Sequence, residues 1–165
     1  NPYKHVLEFG VYKGGTIKQL RDMFDKEYSI FGFDTFMGLP ENWTGTNHKK
    51  GDMSVGGKIP NVPNVKFFKG LFKDTIPEYL PIAEPISLLH VDCDLYSSTV
   101  DVLWGLNEYI QEGTIIICDE WEFCHSQKKK DHEQKAFYEW VKEFNREFEL
   151  VKPIEEERQI VIIRK

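Results

Sequence analysis

Several features that mark whole classes of protein are missing from this sequence. No apolar run approaches the roughly 20 residues that a transmembrane helix needs. The three cysteines form no CxxC pair, which argues against a zinc site and favours reduced thiols in a cytoplasmic protein. Basic residues are outnumbered, with a formal net charge of -6, whereas a surface that tracks phosphates usually needs a basic excess. We therefore expect neither a membrane nor a nucleic acid among the partners.

What the sequence does contain is an alternation of strand-like and helix-like segments, without internal repeats. The strand-like runs lie at 5–9, 29–33, 65–68, 86–91, 114–118, 149–152 and 159–163. The segments with apolar residues at helical spacing lie at 16–24, 72–80, 98–110 and 132–148. This order predicts one α/β domain over 1–165, Rossmann-like and doubly wound, with a mostly parallel seven-stranded sheet and helices on both faces. The polar stretch between the last two runs predicts a C-terminal antiparallel hairpin.

One stretch, from 36 to 64, has no clear periodicity and is rich in glycine and proline. Loops of this length in a compact domain are usually functional or mobile. We therefore predict that residues 36–64 form a lid over a bound substrate.

A glycine-rich turn follows the first strand and leads into a helix, beginning at Gly10 and ending at Gly14, Gly15 and Thr16. Gly10 allows a tight turn, and the later glycines let a ligand approach the backbone. Asp34 follows the second strand, where a carboxylate can accept hydrogen bonds from both hydroxyls of a ribose. Because ligands of open parallel sheets bind beyond the carboxyl ends of the strands, these residues predict a nucleoside-containing ligand.

Four interpretations of this turn stay open. A dinucleotide site, as in an NAD-dependent oxidoreductase, prefers the complete G-x-G-x-x-G pattern, which is not present here. Glu8 stands directly before the turn, and a carboxylate suits the sulfonium and ammonium groups of S-adenosylmethionine (SAM) better than a pyrophosphate. A nucleotide-binding module without catalysis, or a turn that only packs a helix on a strand, would share the same pattern.

Five motifs resemble the class I SAM-dependent methyltransferases, and within them the macrocin O-methyltransferase-like group. The resemblance runs in order from about Leu7 to Glu120 and fades beyond it to the level of the fold. Helices that precede the first strand in this family are absent from the sequence. The motifs lie at 7–16, 33–40, 69–77, 90–99 and 113–119.

The resemblance implies where SAM would bind. The residues implied for its methionine part are Glu8, Phe9, Gly10, Gly14 and Thr16, with Asp92 near the ammonium group. Asp34 would hold the ribose. The residues implied to border ribose and adenine are Thr35, Phe36, Gly70, Leu71 and Phe72.

Acidic residues follow two further strands. Asp92 and Asp94 come after the fourth strand, and Asp119 and Glu120 come after the fifth. If these strands are neighbours, their ends lie roughly 5 Å apart and the carboxylates converge. Oxygen ligands favour Mg²⁺, Ca²⁺ or Mn²⁺.

By the resemblance, Asp92, Asp119 and Glu120 match the metal positions of related methyltransferases, which often have Asp where this chain has Glu120. Mg²⁺ is the expected ion. Asp94 is expected to cap the helix that starts near Ser97. In the alternative without a metal, Asp92 only orients the ammonium group of SAM.

The resulting hypothesis is a metal-assisted O-methyltransferase that acts on a small hydroxylated molecule, such as a sugar or a phenol. Candidates for the base that removes the hydroxyl proton are His48 in the long loop and His125 after the fifth strand. His90 lies inside the fourth strand and is expected to be a satisfied core residue. A SAM enzyme without metal that methylates another acceptor stays possible, and so does assembly into a homo-oligomer.

Overall fold

The computed structural model describes residues 2–121, 131–151 and 158–165. Its strands are β1 His5–Phe9, β2 Ser29–Asp34, β3 Val65–Lys69, β4 Ile86–Val91, β5 Ile115–Cys118, β6 Phe148–Val151 and β7 Gln159–Ile163. Its helices are α1 Gly15–Met23, α2 Phe72–Tyr79, α3 Tyr96–Gly105 and α4 Glu133–Phe144. None of these helices is both long and apolar enough to cross a membrane.

The strands form one seven-stranded sheet in the order β3-β2-β1-β4-β5-β7-β6. The pairs from β3 to β5 are parallel, whereas β7 pairs antiparallel with both β5 and β6. The predicted fold class, with its antiparallel C-terminal strands, is confirmed. The fourth and fifth strands are neighbours, so the condition for converging carboxylates is met.

Buried apolar side chains form a core on each face of the sheet. Successive residues of a strand point to opposite faces, and in β1 Val6 joins one cluster while Leu7 and Phe9 join the other. Helix α1 adds Ile17 and Leu20 to the Val6 cluster, while α2, α3 and α4 supply the Leu7 cluster. Helices therefore cover both faces, which explains why the parallel strands read as unbroken apolar runs.

Two predicted helix boundaries are wrong. Helix α4 ends at Phe144 because Asn145 adopts a left-handed conformation with φ of 49°, so Phe148 starts β6 instead of continuing the helix. Helix α3 begins at Tyr96 and ends at Gly105, although Ile110 beyond it is still buried. Apolar spacing reports which side chains enter the core, and it continues past the point where the backbone leaves the helix.

Candidate functional site

The winding of the sheet reverses between β1 and β4. From β1 the chain continues outward to β2 and β3, whereas β5 lies on the other side of β4. Ligands of open parallel sheets bind at such a reversal, beyond the carboxyl ends of the strands. A cleft of about 480 Å³ opens there. Its walls include Gly10, Asp34, Thr35, Leu71, Phe72, Asp92, Asp94 and Glu120.

Asp34 ties the turn after β1 to the turn after β2. Its Oδ2 accepts hydrogen bonds from the backbone nitrogens of Val11 at 2.8 Å and Tyr12 at 2.7 Å. Its Oδ1 accepts a third from the nitrogen of Phe36 at 2.6 Å. A carboxylate offers about four acceptor positions, so roughly one remains. Asp34 lines the same cleft as Gly10, and its role in binding the ribose stays a prediction.

Gly10 is required by the close approach of two strand ends. Its φ is +95°, and a Cβ atom there would lie 1.6 Å from the carbonyl oxygen of Asp92. Gly14 also has a positive φ, of +84°, and its Cβ would lie 2.8 Å from Pro60 of the predicted lid. Pro60 of the predicted lid therefore lies close to Gly14, and the contact of Gly14 with SAM stays a prediction.

Several residues implied for SAM lie away from the wall of the cleft. Phe9 stacks on Phe33 with ring centroids 4.3 Å apart, and the ring of Phe36 is buried in the core on the α1 side of the sheet. Glu8 is also buried. The remaining three positions off the wall are Gly14, Thr16 in the first turn of α1, and Gly70 directly after β3.

A buried ion chain runs across three strand ends. The ring of His90 has Nδ1 3.1 Å from Glu8 Oε1 and Nε2 3.5 Å from Asp119 Oδ1. Burial lowers the pKa of His90, but the hydrogen bonds with Asp119 and Glu8 raise it to about 10 overall. His90 is therefore an imidazolium that donates to both carboxylates. His90 is thus a buried residue with both ring nitrogens in contact with partners, as expected. Those partners, Glu8 and Asp119, are themselves predicted site residues.

Glu8 keeps one oxygen unused. Its Oε2 is buried and has no hydrogen-bond partner among the residues that the structure describes. Burial raises the pKa of Glu8, and the hydrogen bond from His90 opposes that rise. An orphaned carboxylate oxygen at the end of β1 suits a cationic group of a ligand in the adjoining turn.

The carboxylates after β4 and β5 meet as predicted. Burial, followed by the charge of Asp119, raises the pKa of Asp92 to about 7. Burial would also raise the pKa of Asp119, but hydrogen bonds from His90 and Arg158 lower it below its usual range. Arg158 pairs directly with Asp119. A cation between the two strand ends would reduce the repulsion between Asp92 and Asp119 and favour the ionised form of Asp92.

Oxygen atoms of Asp92 and Asp119 and a ring nitrogen of His90 lie within 4.8 Å of one another. The two ring nitrogens of His90 interact with Glu8 and Asp119, so His90 could bind a metal only by giving up one of these contacts. The donor set is then Asp92 and Asp119, with Glu120 on the same cleft wall. Such oxygen ligands fit a hard divalent cation.

Asp94 does not have its expected role as a helix cap. Leu95 occupies the N-cap position of α3, and no side chain caps that helix. Asp94 instead lines the cleft in a left-handed conformation with φ of 63°. Burial and the charge of Asp92 raise its pKa to about 8. The only sequence feature that could indicate this position in the cleft is the Asp92-x-Asp94 pair after a buried strand. The same feature is equally consistent with a helix cap.

The two predicted bases have different outcomes. His48 lines the cleft, where its ring stacks on Trp43 at 5.7 Å and its Nδ1 lies 3.5 Å from Asp52 Oδ2. His125 lies outside the described residues. His48 is thus at the rim of the site, already beside a carboxylate of its own loop.

The lid is attached to α3 and α4. Leu39 and Trp43 form a small apolar cluster with Leu95, just before α3. His132, which the sequence analysis missed, accepts a hydrogen bond at Nδ1 from the nitrogen of Tyr96 at 3.3 Å. Its proton therefore lies on Nε2, which donates to the carbonyl oxygen of Thr44 at 2.9 Å. The ring joins the lid, α3 and the start of α4.

We predict that His132→Ala loosens the lid. Loss of one hydrogen bond is worth about 1 kcal/mol, so amide exchange in the lid should rise roughly fivefold. The amides of Leu39 and Trp43, bonded to Asp52 and His48, report this in hydrogen–deuterium exchange. The control is Lys142→Ala, which changes an exposed residue of α4 and leaves the contact with Thr44 in place. Equal exchange in wild type and His132→Ala would show that His132 does not stabilise the lid.

Comparison with known proteins points to one family. The model of the macrocin-O-methyltransferase (TylF) family matches residues 61–156, more than half of the chain. The match starts after the glycine-rich turn and Asp34. It also continues beyond Glu120, where the motif resemblance was expected to fade, into α4 and β6.

Individual relatives agree with that match. The demethyldecarbamoylnovobiocin O-methyltransferase of Streptomyces niveus is 26% identical over 158 residues, covering 81% of this chain and 59% of the relative. The chain thus spans less than two thirds of that protein. The solved calicheamicin methyltransferase CalS11 is 23% identical with a TM-score of 0.76, over 98% of this chain and 72% of CalS11. The O-methyltransferase NovP is 22% identical with a TM-score of 0.74, over 99% of this chain and 73% of NovP. At these identities the two structures support the fold alone.

Proposed function

Because the chain belongs to the macrocin-O-methyltransferase family, we propose that it carries the SAM-binding and catalytic core of an O-methyltransferase. The acceptor in this proposal is a hydroxyl group on a sugar or a glycosylated natural product, as the names of the relatives suggest. One observation carries the proposal: Gly10 and Asp34 share a single cleft with Asp92 and Asp94. A donor site and a proton-accepting site are then within one cleft.

The proposed position of SAM follows the wall of the cleft. Asp34 accepts one ribose hydroxyl, and Leu71 and Phe72 border the adenine. The ammonium group lies toward Gly10, where the orphaned Glu8 Oε2 supplies negative charge. This orientation directs the methyl group toward the acidic wall that Asp92 and Asp94 form.

Methyl transfer forms a bond between the acceptor oxygen and the methyl carbon and breaks the bond between that carbon and sulfur. The hydroxyl proton leaves at the same time, so the protein must align the two reactants and take up a proton. Asp94 is the better-placed base, because it is buried on the acidic wall and its pKa of about 8 lies near neutrality. His48 is at the rim and interacts with Asp52.

The metal part of the proposal assigns Asp92, Asp119 and Glu120 as ligands of a divalent cation, with Mg²⁺ expected. Such a cation, when bound, lowers the pKa of an acceptor hydroxyl and fixes its position. His90 and Arg158 hold Asp119 in its ionised form, ready to act as a ligand. Asp92 gains the counter-charge that the buried cluster otherwise lacks.

The proposed function is tested by calorimetric titration with SAM and with NAD, each with and without Mg²⁺. We expect SAM to bind and NAD to fail. Binding of NAD without SAM would overturn the methyltransferase proposal. A protein that binds SAM but releases no S-adenosylhomocysteine with any hydroxylated acceptor would be a binding module instead.

Removal of divalent metal is expected to abolish methyl transfer while SAM binding persists. The physical reason is that Asp34 and Gly10 hold SAM at β1 and β2, whereas the cation lies at the ends of β4 and β5. S-adenosylhomocysteine release is measured after treatment with EDTA, and again after Mg²⁺ is restored. Unchanged turnover in EDTA would favour the metal-free alternative.

A further inference from the structure

A single carboxylate outside the motifs joins the two acidic strand ends. Glu133, the first residue of α4, is 0% exposed. Its Oε1 accepts a hydrogen bond from the backbone nitrogen of Cys93 at 3.4 Å, and its Oε2 accepts one from that of Glu120 at 3.0 Å. These nitrogens belong to the residues that directly follow Asp92 and Asp119.

After Asp92 and Asp119 the neighbouring strands no longer supply hydrogen-bond acceptors for the backbone. The nitrogen of Asp92 still donates to Phe9 at 2.9 Å, and that of Asp119 to Val91 at 2.9 Å. One residue further on, the strands part and the N–H groups of Cys93 and Glu120 turn to Glu133. Buried N–H groups need an acceptor, and a carboxylate provides two oxygens on one rigid group.

This arrangement links the separation of the two strand ends to one side chain. An amide at the same place would offer one oxygen and one NH₂ group, and the latter would oppose a backbone donor. Burial raises the pKa of Glu133 well above its usual range, whereas the hydrogen bond from the nitrogen of Glu120 and the first turn of the helix favour the ionised form. Glu133 itself does not line the cleft, so it acts through its neighbours.

We propose that Glu133 is a positioning residue that sets the distance between Asp92 and the Asp119–Glu120 pair. The inference rests on the proposed function, which places a divalent cation between these carboxylates. In this role Glu133 does not bind the metal itself. It holds the backbone of the two turns after β4 and β5 that carry the metal ligands.

The test compares Glu133→Gln and Glu133→Asp with wild type. Mn²⁺ is the probe, and its free concentration is followed by electron paramagnetic resonance. Outer supports of metal ligands typically contribute 10- to 100-fold to affinity, so Glu133→Gln should weaken Mn²⁺ binding by roughly 10-fold or more. Glu133→Asp keeps both oxygens on a shorter side chain and should fall between the two. SAM affinity, measured by calorimetry, should change less than about twofold, since Glu133 contacts neither Asp34 nor the turn that begins at Gly10 in the hydrogen bonds it accepts.

Gln134→Ala is the matched control, because Gln134 is the next buried polar residue of the same helix turn. It should leave Mn²⁺ affinity unchanged. Variants of Glu133 that melt at lower temperature but bind Mn²⁺ like wild type would show a purely structural role and overturn the proposal. So would a wild type that binds SAM but no Mn²⁺, and the proposed SAM site would then still stand. A wild type that binds no SAM would instead overturn the proposed function itself.

Discussion

Asp94→Asn is expected to lower kcat for methyl transfer by about 10²- to 10⁴-fold, the range that a general base contributes. Asparagine keeps the size of the side chain but cannot accept the hydroxyl proton. SAM affinity should change much less than kcat, because the proposed ribose contact is made by Asp34 and not by Asp94. The measurement is release of S-adenosylhomocysteine with glycosylated acceptors, alongside calorimetric titration of SAM.

The pH profile separates a base from a packing residue. A base acts when deprotonated, and burial with the charge of Asp92 raises the pKa of Asp94 to about 8. A divalent cation on Asp92 would lower that pKa, so turnover of the wild type should fall with decreasing pH, and the fall should begin at a lower pH when the cation is bound. This loss of turnover at low pH should disappear in Asp94→Asn. Asp101→Asn, at the same cleft but on α3, is the control and should keep both the rate and the loss of turnover at low pH. Full activity of Asp94→Asn would remove Asp94 from the mechanism.

Gly10→Ala is expected to abolish SAM binding and to lower the free energy of unfolding by more than about 2 kcal/mol. The added Cβ would lie 1.6 Å from the carbonyl oxygen of Asp92, at a φ of +95° that disfavours alanine. Relief requires β1 and β4 to move apart, which opens the floor of the cleft. Urea unfolding and SAM titration measure the two effects.

Gly15→Ala provides the contrast within the same turn. A Cβ at Gly15 meets no described atom within 4 Å, and Gly15 is the first residue of α1. The change should be neutral or should stabilise the protein by up to about 1 kcal/mol, since alanine favours helix. If both substitutions had the same effect, close approach would not explain the glycine at position 10.

The sequence predicts most of the fold because buried parallel strands leave a simple trace. Ile86–Val91 and Gln159–Ile163 were predicted with the bounds that the structure has. The pairing of Gly10 with Asp34 also follows from the topology, since both end strands that lie side by side. Local pattern and sheet geometry suffice for these features.

Contacts between distant parts of the chain are beyond such reasoning. Glu8 and His90 are 82 residues apart, and His132 and Thr44 are 88 apart. Neither pair belongs to a spacing pattern, because side-chain contacts across a sheet or between a helix and a loop depend on final packing. Asp94 illustrates a different limit: a carboxylate before a helix fits both a cap and a cleft wall, and only its backbone conformation decides between them.

The place of β7 has a consequence for how the molecule is assembled. β7 is inserted between β5 and β6, so β5 has an open edge until residues 159–163 have been synthesised. The turns joined by Asp34 need only residues 5–36, which emerge from the ribosome early. A nascent chain should thus complete its nucleoside-binding half first, while the acidic half waits for the last strand, exposing an unpaired edge to aggregation or chaperones in the interval.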